Sequence, residues 1–279
     1  MKKKLRIFSD YPQEIEWKLN EDEYEFVNDD SYDYVIIINV LMPYLKLDIN
    51  KHNVIGFAHE PHKFNKYNKK FIKYAKQYIS NYYLGDPKNF GLPFTKYYGF
   101  QNHYNNHDFE HIQPFDKPKN ISLIISMKKI LPNHTYRRDL AHYILKEGLD
   151  IDIWGKGVTH FKNYNNPHLK TEFNDIEPYK DYKFHIAIEN CEEGDYITEK
   201  FCNCIATKTI PIYIGSDNIK TYFGNDCYIQ LKGNIKDDIQ ILKNILNNME
   251  QYKKNLDIAY NELFYGKCDL NTFLKERWN

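Results

Sequence analysis

FHIAIENCEEGDYITEKFCNCIATKTIPIYIG, residues 184–215, decides the fold of this chain. Ile186, Ala187 and Ile188 form an apolar run too short for a helix and suited to a strand buried on both faces. An acidic turn follows, then a helix opened by Thr198 with Glu199 and Lys200 in its first turn, then a second apolar strand, 210–214, closed by Gly215. The pattern is a βαβ unit, so the two strands are parallel. In such sheets ligands bind outside the carboxyl ends of the strands, which is where Glu189, Asn190 and Asp195 fall. The backbone N–H groups at the start of the helix point toward that crevice, and Lys200 adds a full positive charge. An anion, above all a phosphate, fits there.

Working outward, 279 residues suit two α/β domains rather than one. Lysine plus arginine equals aspartate plus glutamate at 38 each, so no net field favours a polyanionic partner. The basic N-terminus lacks an apolar run of signal-peptide length, and nowhere does the chain hold a transmembrane segment of about 18 apolar residues. A soluble, cytoplasmic protein is expected. The five cysteines are odd in number and lack paired zinc-like spacing, and they read as reduced, mostly core-filling thiols.

Segments 4–9, 34–40 and 53–58 read as buried strands of a first domain. Apolar residues recur at helical spacing from Phe64 to Ser80, with lysines between them. Lysines beside tyrosines suggest single-stranded nucleic acid, but the tyrosines share the buried face, so the expectation is a core helix and no nucleic acid. Segment 101–119 is polar, with little periodicity, and reads as an interdomain linker; His103, His107, His111 and His134 in or beyond it lack the carboxylate or cysteine framework of a metal site. A strand at 121–126, a helix from about Tyr136 with Leu140, Tyr143 and Ile144 on its buried stripe, and a strand at 149–154 follow. A further strand is expected at 227–231, helix at 235–257 and a helical tail at 258–279. The expected domains are 1–115, 116–257 and a terminal helix, 258–279, returning to the first domain.

Phe184, Glu189, Asn190, Asp195, Tyr196, Thr198, Glu199, Lys200, Pro211 and Gly215 stand at the spacing of the α1,3-fucosyltransferase signature, which this chain resembles. Ile188 and Cys191 depart from it, where many members have Phe and Ser. The resemblance covers the second domain well and the first only through the segment around Glu60. It implies an α/β fold of the GT-B type, with two Rossmann-like domains facing each other across a cleft. It also implies inverting transfer of fucose from GDP-fucose, the nucleotide-sugar donor, to a hydroxyl of a GlcNAc-like glycan acceptor. Another GDP- or UDP-sugar is the alternative donor, and a non-catalytic nucleotide- or glycan-binding module the second alternative.

Sugar transfer needs a seat for the departing diphosphate and a base for the acceptor hydroxyl. Lys200, the helix start at Thr198 and an arginine opening the helix near Tyr136 supply the first; the resemblance points to Arg138, with Arg137 as the lesser choice. These cations make a resident metal or other cofactor unnecessary. Asp150-Ile151-Asp152 matches a metal-binding pair in letters only, since it lies within an alternating strand of the second domain. By the resemblance Glu199 and Asn190 hold hydroxyls of the ribose or donor sugar, Tyr196 packs on the donor, and Glu189 is a further donor-binding residue. The strand at 53–58 ends in His59-Glu60-Pro61-His62, which puts titratable groups at a carboxyl edge. The resemblance makes Glu60 the catalytic base, with His59 open as the alternative; a partly dry cleft would raise the carboxylate's pKa toward neutrality. His62 and Lys63 are left as acceptor-loop or surface residues.

Overall fold

The computed structural model describes residues 2–10, 19–97, 104, 107–174 and 176–278. Its chain forms two compact units: residues 1–100 with 193–196 and 267–279, and residues 101–192 with 197–266. The division falls at 100/101 rather than 115/116, and only the last part of the tail joins the first unit. The polar linker read at 101–119 overlaps residues outside those described, His103 among them.

In the first unit six parallel strands run in the order β2-β1-β3-β4-β5-β6 among the described residues: β1 (Lys3–Phe8), β2 (Tyr24–Phe26), β3 (Tyr34–Ile38), β4 (Val54–Phe57), β5 (Asn81–Leu84) and β6 (Phe94–Lys96). Val35 to Ile38 are fully buried, as a central parallel strand covered on both faces requires. The helix read over 64–80 is two helices, α1 (His62–Asn65) and α2 (Lys69–Tyr78). Lys66 adopts a left-handed conformation that stops the first, and the Asn68 side chain caps the second by accepting from Phe71 N–H at 2.9 Å. Phe71 and Ala75 enter the core, while the lysines stay on the other face.

In the second unit the order is β12-β11-β10-β7-β8-β9, again all parallel: β7 (Lys119–Ile124), β8 (Ile151–Trp154), β9 (Leu169–Lys170), β10 (Tyr182–Ile188), β11 (Ile210–Ile214) and β12 (Ile229–Gln230). Strand order reverses between β7 and β10, so a crevice opens at their carboxyl ends. The helices are α3 (Pro132–Lys146) after β7, α4 (Glu177–Lys180) before β10, α5 (Glu199–Ala206) after it, α6 (Ile219–Phe223), α7 (Ile235–Asn247) and α8 (Asp257–Phe264). Helix α3 begins four residues before Tyr136 because Pro132, with no N–H to leave unpaired, starts it. Its buried face carries His134, Arg137, Leu140, Ala141, Ile144 and Leu145, whereas Tyr143 is exposed. The helical pattern read through 235–257 breaks at Asn248.

Lys117 is buried beneath α4 and α5, where its Nζ donates to the Tyr179 carbonyl at 3.2 Å, the Thr207 carbonyl at 2.6 Å and Thr209 Oγ1 at 2.6 Å. It ties together the ends of the two helices that frame β10. Burial pushes its amine down to about 7, while the three acceptors favour the ammonium.

Candidate active site

The second unit holds a cavity of about 200 Å³ at the carboxyl ends of β7 and β10. Ile124 closes β7, His185 to Ile188 come from β10, Glu199, Lys200 and Asn203 from α5, Arg137 from α3, and Phe173 and Tyr179 complete the wall. Three charged groups thus share one crevice. Lys200 Nζ lies 2.6 Å from Glu199 Oε1 and 4.0 Å from Glu189 Oε2. Arg137 reaches across from α3, donating from Nη2 to Asn190 Oδ1 at 2.6 Å and from Nε to the Asn133 carbonyl at 3.3 Å.

The start of α5 is not bare. Glu189, fully buried just past β10, accepts from Thr198 N–H at 2.8 Å and from the Thr198 hydroxyl at 2.6 Å. Thr198 Oγ1 in turn accepts from Lys200 Nζ at 3.2 Å. Glu189 is thus an internal carboxyl that fixes the helix start and lies close to Lys200. Burial, reinforced by Glu199, pushes its carboxyl up to about 7, against the pull of Lys200 and the Thr198 donors. The closing Gly215 leaves room for this arrangement, since a Cβ there would meet the Tyr213 phenol oxygen at 2.1 Å.

Two histidines flank the cations. His134 Nδ1 accepts from Leu131 N–H at 3.0 Å, and burial beside Arg137, Lys128 and Lys200 pushes its pKa down to about 4. His185, buried on β10, is pushed down to about 3 by burial. Both rings are neutral at pH 7.

The site residues read from sequence fall into several places. Lys200 and Glu199 line the cavity; Asn190 holds Arg137; Glu189 and Thr198 hold each other. Arg137, not Arg138, comes to the cavity. Arg138 is half-buried on α3 with Asp139 at 4.0 Å, because the next residue on a helix turns about 100° away. Tyr196 does not line the cavity: it is buried within the first unit, as is Asp195, whose carboxylate lies 3.2 Å from Lys96 Nζ and whose N–H donates to the Gly85 carbonyl at 2.9 Å. Asp152 is engaged by His168 Nδ1 at 2.8 Å and the Tyr182 phenol at 2.6 Å, and Asp150 by Asn120 at 2.9 Å. Among the described residues no three His, Cys, Asp or Glu side chains gather as metal ligands.

In the first unit Glu60 follows β4 on a loop that Asn39 organises. Asn39 ends β3 with φ of 56°, and its Oδ1 accepts both His59 N–H at 3.0 Å and Glu60 N–H at 3.1 Å. Asn65 Nδ2 closes the loop on the Glu60 carbonyl at 2.7 Å. His62 N–H donates to Glu193 Oε2 at 3.0 Å and its ring meets the Asp86 carbonyl at 2.5 Å.

Residues 114–259, just over half of the chain, match the model of the C-terminal part of glycosyltransferase family 10 (fucosyltransferase). The chain belongs to glycosyltransferase family 10. It is 29% identical over 162 residues to alpha-(1,3)-fucosyltransferase fut-6 of Caenorhabditis elegans, covering 53% of this chain and 40% of that protein. It is 36% identical over 100 residues to alpha-(1,3)-fucosyltransferase B of Drosophila melanogaster, covering 36% of this chain and 20% of the relative. The family 10 chain thus spans well under half the length of these curated relatives. Its fold is that of a crystal structure of an α1,3-fucosyltransferase with GDP, at a TM-score of 0.52 and 15% identity over 93% of this chain and 81% of that one. An α-glucosyltransferase in complex with UDP-glucose and DNA containing an abasic site shares it at a TM-score of 0.56 and 12% identity, over 93% and 85% of the two chains. The α/β, GT-B class of fold read from the sequence is therefore the fold of this family 10 chain. No helix among its described residues is long and apolar enough to cross a membrane.

His185, Asn203 and the engagement of Arg137 escaped the sequence reading. The arginine carried a signal: Leu140 and Ile144 define the buried stripe of α3, and Arg137 lies three residues before Leu140 on that stripe. His185 and Asn203 gave none, being single polar residues inside apolar elements.

Proposed function

We propose that this chain is an inverting glycosyltransferase that moves fucose from GDP-fucose to a hydroxyl of a GlcNAc-like glycan. The observation that carries this reading is the crevice where Arg137, Lys200 and Glu199 converge beyond the β7–β10 switch point. Two preorganised cations in a partly dry site stabilise charge growing on a departing diphosphate far better than water does. Arg137 and Lys200 take the pyrophosphate, Arg137 replacing Arg138 in that role. Glu199 accepts from a ribose or sugar hydroxyl, and Asn190 orients Arg137 rather than touching the sugar. Glu189 and Thr198 set the start of α5. Glu60 of the first unit deprotonates the acceptor hydroxyl, which attacks the anomeric carbon as its bond to the diphosphate oxygen breaks through an oxocarbenium-like state. The proton leaves on Glu60 and the nucleotide diphosphate departs as the leaving group.

Calorimetry with GDP-fucose, other GDP-sugars and UDP-sugars, followed by assay of nucleotide release with glycan acceptors, tests the reading. Tight GDP-fucose binding with acceptor-dependent GDP release is expected. Preference for a UDP-sugar changes the donor, and binding without release makes the chain a nucleotide-binding module. Lys200→Ala transferring sugar at the parent rate would overturn the phosphate assignment.

A further inference from the structure

The zero net charge of the chain is unevenly spread. Between Pro61 and Gly85 the sequence carries six lysines and no aspartate or glutamate. Helix α2 gathers most of them on one side. Phe71 and Ala75 turn to the core, and with about 100° between successive residues Lys69, Lys70, Lys73 and Lys76 leave from the opposite face, all exposed. Among the described residues none of these four forms an ion pair with a carboxylate.

The connection from β3 to β4 runs along this helix. The Tyr74 hydroxyl donates to the Pro43 carbonyl at 2.8 Å, and Lys51 Nζ donates to the Lys76 carbonyl at 2.7 Å. Between those two ties Leu45 and Ile49 pack against the core, as Leu41 and Met42 do just before them, so the segment has a fixed inner face. Tyr44 and Leu47 point the other way and are fully exposed, at 101% and 107%. A single exposed apolar side chain is ordinary, but here two are held outward beside a lysine face. Tyr78 continues them at the end of α2, exposed and with its ring 4.9 Å from that of Tyr74.

Lysines without counter-charges and outward apolar tips make two demands on one partner: anionic groups spread over a plane, and an apolar layer behind them. A bilayer containing anionic lipid meets both. Single-stranded nucleic acid meets only the first, since Leu47 has no ring on which a base could stack and Tyr67 and Tyr74 pack inward against the core. We propose that this face, α2 with Tyr44 and Leu47, docks the chain on an anionic membrane surface, its lysines against headgroup phosphates and the two tips in the interfacial layer. Docking of this kind is independent of the donor-sugar reading, because the face holds none of the residues assigned to the crevice.

Co-sedimentation of the full chain with lipid vesicles tests this docking. Vesicles of phosphatidylcholine with about 30% phosphatidylglycerol should bind the wild-type protein at least about tenfold better than pure phosphatidylcholine, and raising salt from about 0.1 M to about 0.5 M should remove most of that difference. Lys69→Gln, Lys70→Gln and Lys73→Gln together should lower binding to the anionic vesicles about 100-fold, at roughly fivefold per lysine, whereas Lys→Arg at the same three positions should keep it. Tyr44→Ser with Leu47→Ser should lower it about tenfold and leave its salt dependence unchanged. Equal wild-type binding to the two kinds of vesicle, or to neither, overturns the proposal without any variant, so a variant that fails to fold does not shield it. Anionic binding that both sets of variants leave at the wild-type level overturns the assignment to this face. A single-stranded oligonucleotide that binds the wild-type protein while anionic vesicles do not makes the partner a nucleic acid and likewise overturns membrane docking.

Discussion

Arg137 and Arg138 are neighbours in sequence with opposite fates. One donates at 2.6 Å to Asn190 in the crevice and the other lies 4.0 Å from Asp139 outside it. Arg137→Ala is expected to lower kcat/KM about 10²- to 10³-fold, the loss typical of a preorganised donor at developing charge, while Arg138→Ala stays within about twofold. Steady-state kinetics on both variants check this, and equal losses would return the role to Arg138. Glu189 carries a second prediction. Its carboxyl titrates at about 7 in the fold against an ordinary 4.5, so between those values the native state binds more protons than the unfolded chain. Its contribution to stability is complete below about pH 4.5 and fades as pH rises through about 7, by about 3 kcal/mol across the window. His134 and His185 act oppositely, since their depressed values favour the fold above their ordinary 6.5 and lose that contribution as pH falls toward about 4 and about 3. The histidines cancel when wild-type protein and Glu189→Gln are compared by urea unfolding at pH 5 and pH 8. The variant should gain about 2 to 3 kcal/mol relative to wild type over that interval, and parallel curves would contradict the raised pKa of the buried Glu189 carboxyl.

Elements were legible where a single period governed them. Strand β11 falls at the residues read for it, and the start of α5 within one, because their apolar runs are bounded by Gly215 and Thr198. The helix over 64–80 was misread because Lys66, a residue with no turn signature, takes the left-handed conformation that splits it. Periodicity also misjudged Tyr143, an aromatic at helical spacing that the fold leaves exposed. In the candidate site the charged positions of α5 were readable from their order along the chain. The pairing of Glu189 with Thr198 was not, since a carboxylate that satisfies its own helix start looks in sequence like one waiting for a ligand. Asn39 shows the same limit: nothing in its neighbours says that its side chain carries the Glu60 loop. Asn39→Ala strands the His59 and Glu60 N–H groups and puts alanine at a φ of 56°, for a cost of about 3 kcal/mol. If Glu60 is the base, the variant should lose kcat at unchanged donor affinity. Kinetics paired with nucleotide calorimetry separate that outcome from general unfolding, which would depress both.

Across the whole chain, the first unit is completed from far away in sequence. Helix α9 (Leu270–Trp278) sets Trp278 4.7 Å from the Tyr34 ring and Phe273 5.1 Å from the Tyr83 ring, while Asn271 accepts from Asn20 N–H at 2.7 Å. Trp278→Ala is expected to cost about 3 kcal/mol in denaturant unfolding. Trp278→Phe should cost about 1, because the indole N–H has no hydrogen-bond partner to lose and the ring packing largely remains.

Residues 193–196 have the same kind of allegiance, belonging to the first unit although both flanks belong to the second. Gly194 and Gly85 make this fit possible: a Cβ at Gly194 would lie 2.2 Å from the Gly85 carbonyl oxygen. The covalent thread therefore passes between the bodies four times, at 100/101, 192/193, 196/197 and 266/267. A hybrid gene joining the first half of this chain to the second half of a relative at a single crossover would import a foreign tetrapeptide against Gly85, Lys96 and His62. Restoring these four codons to the parent that supplies the first half should recover soluble expression, an effect no single-junction design anticipates.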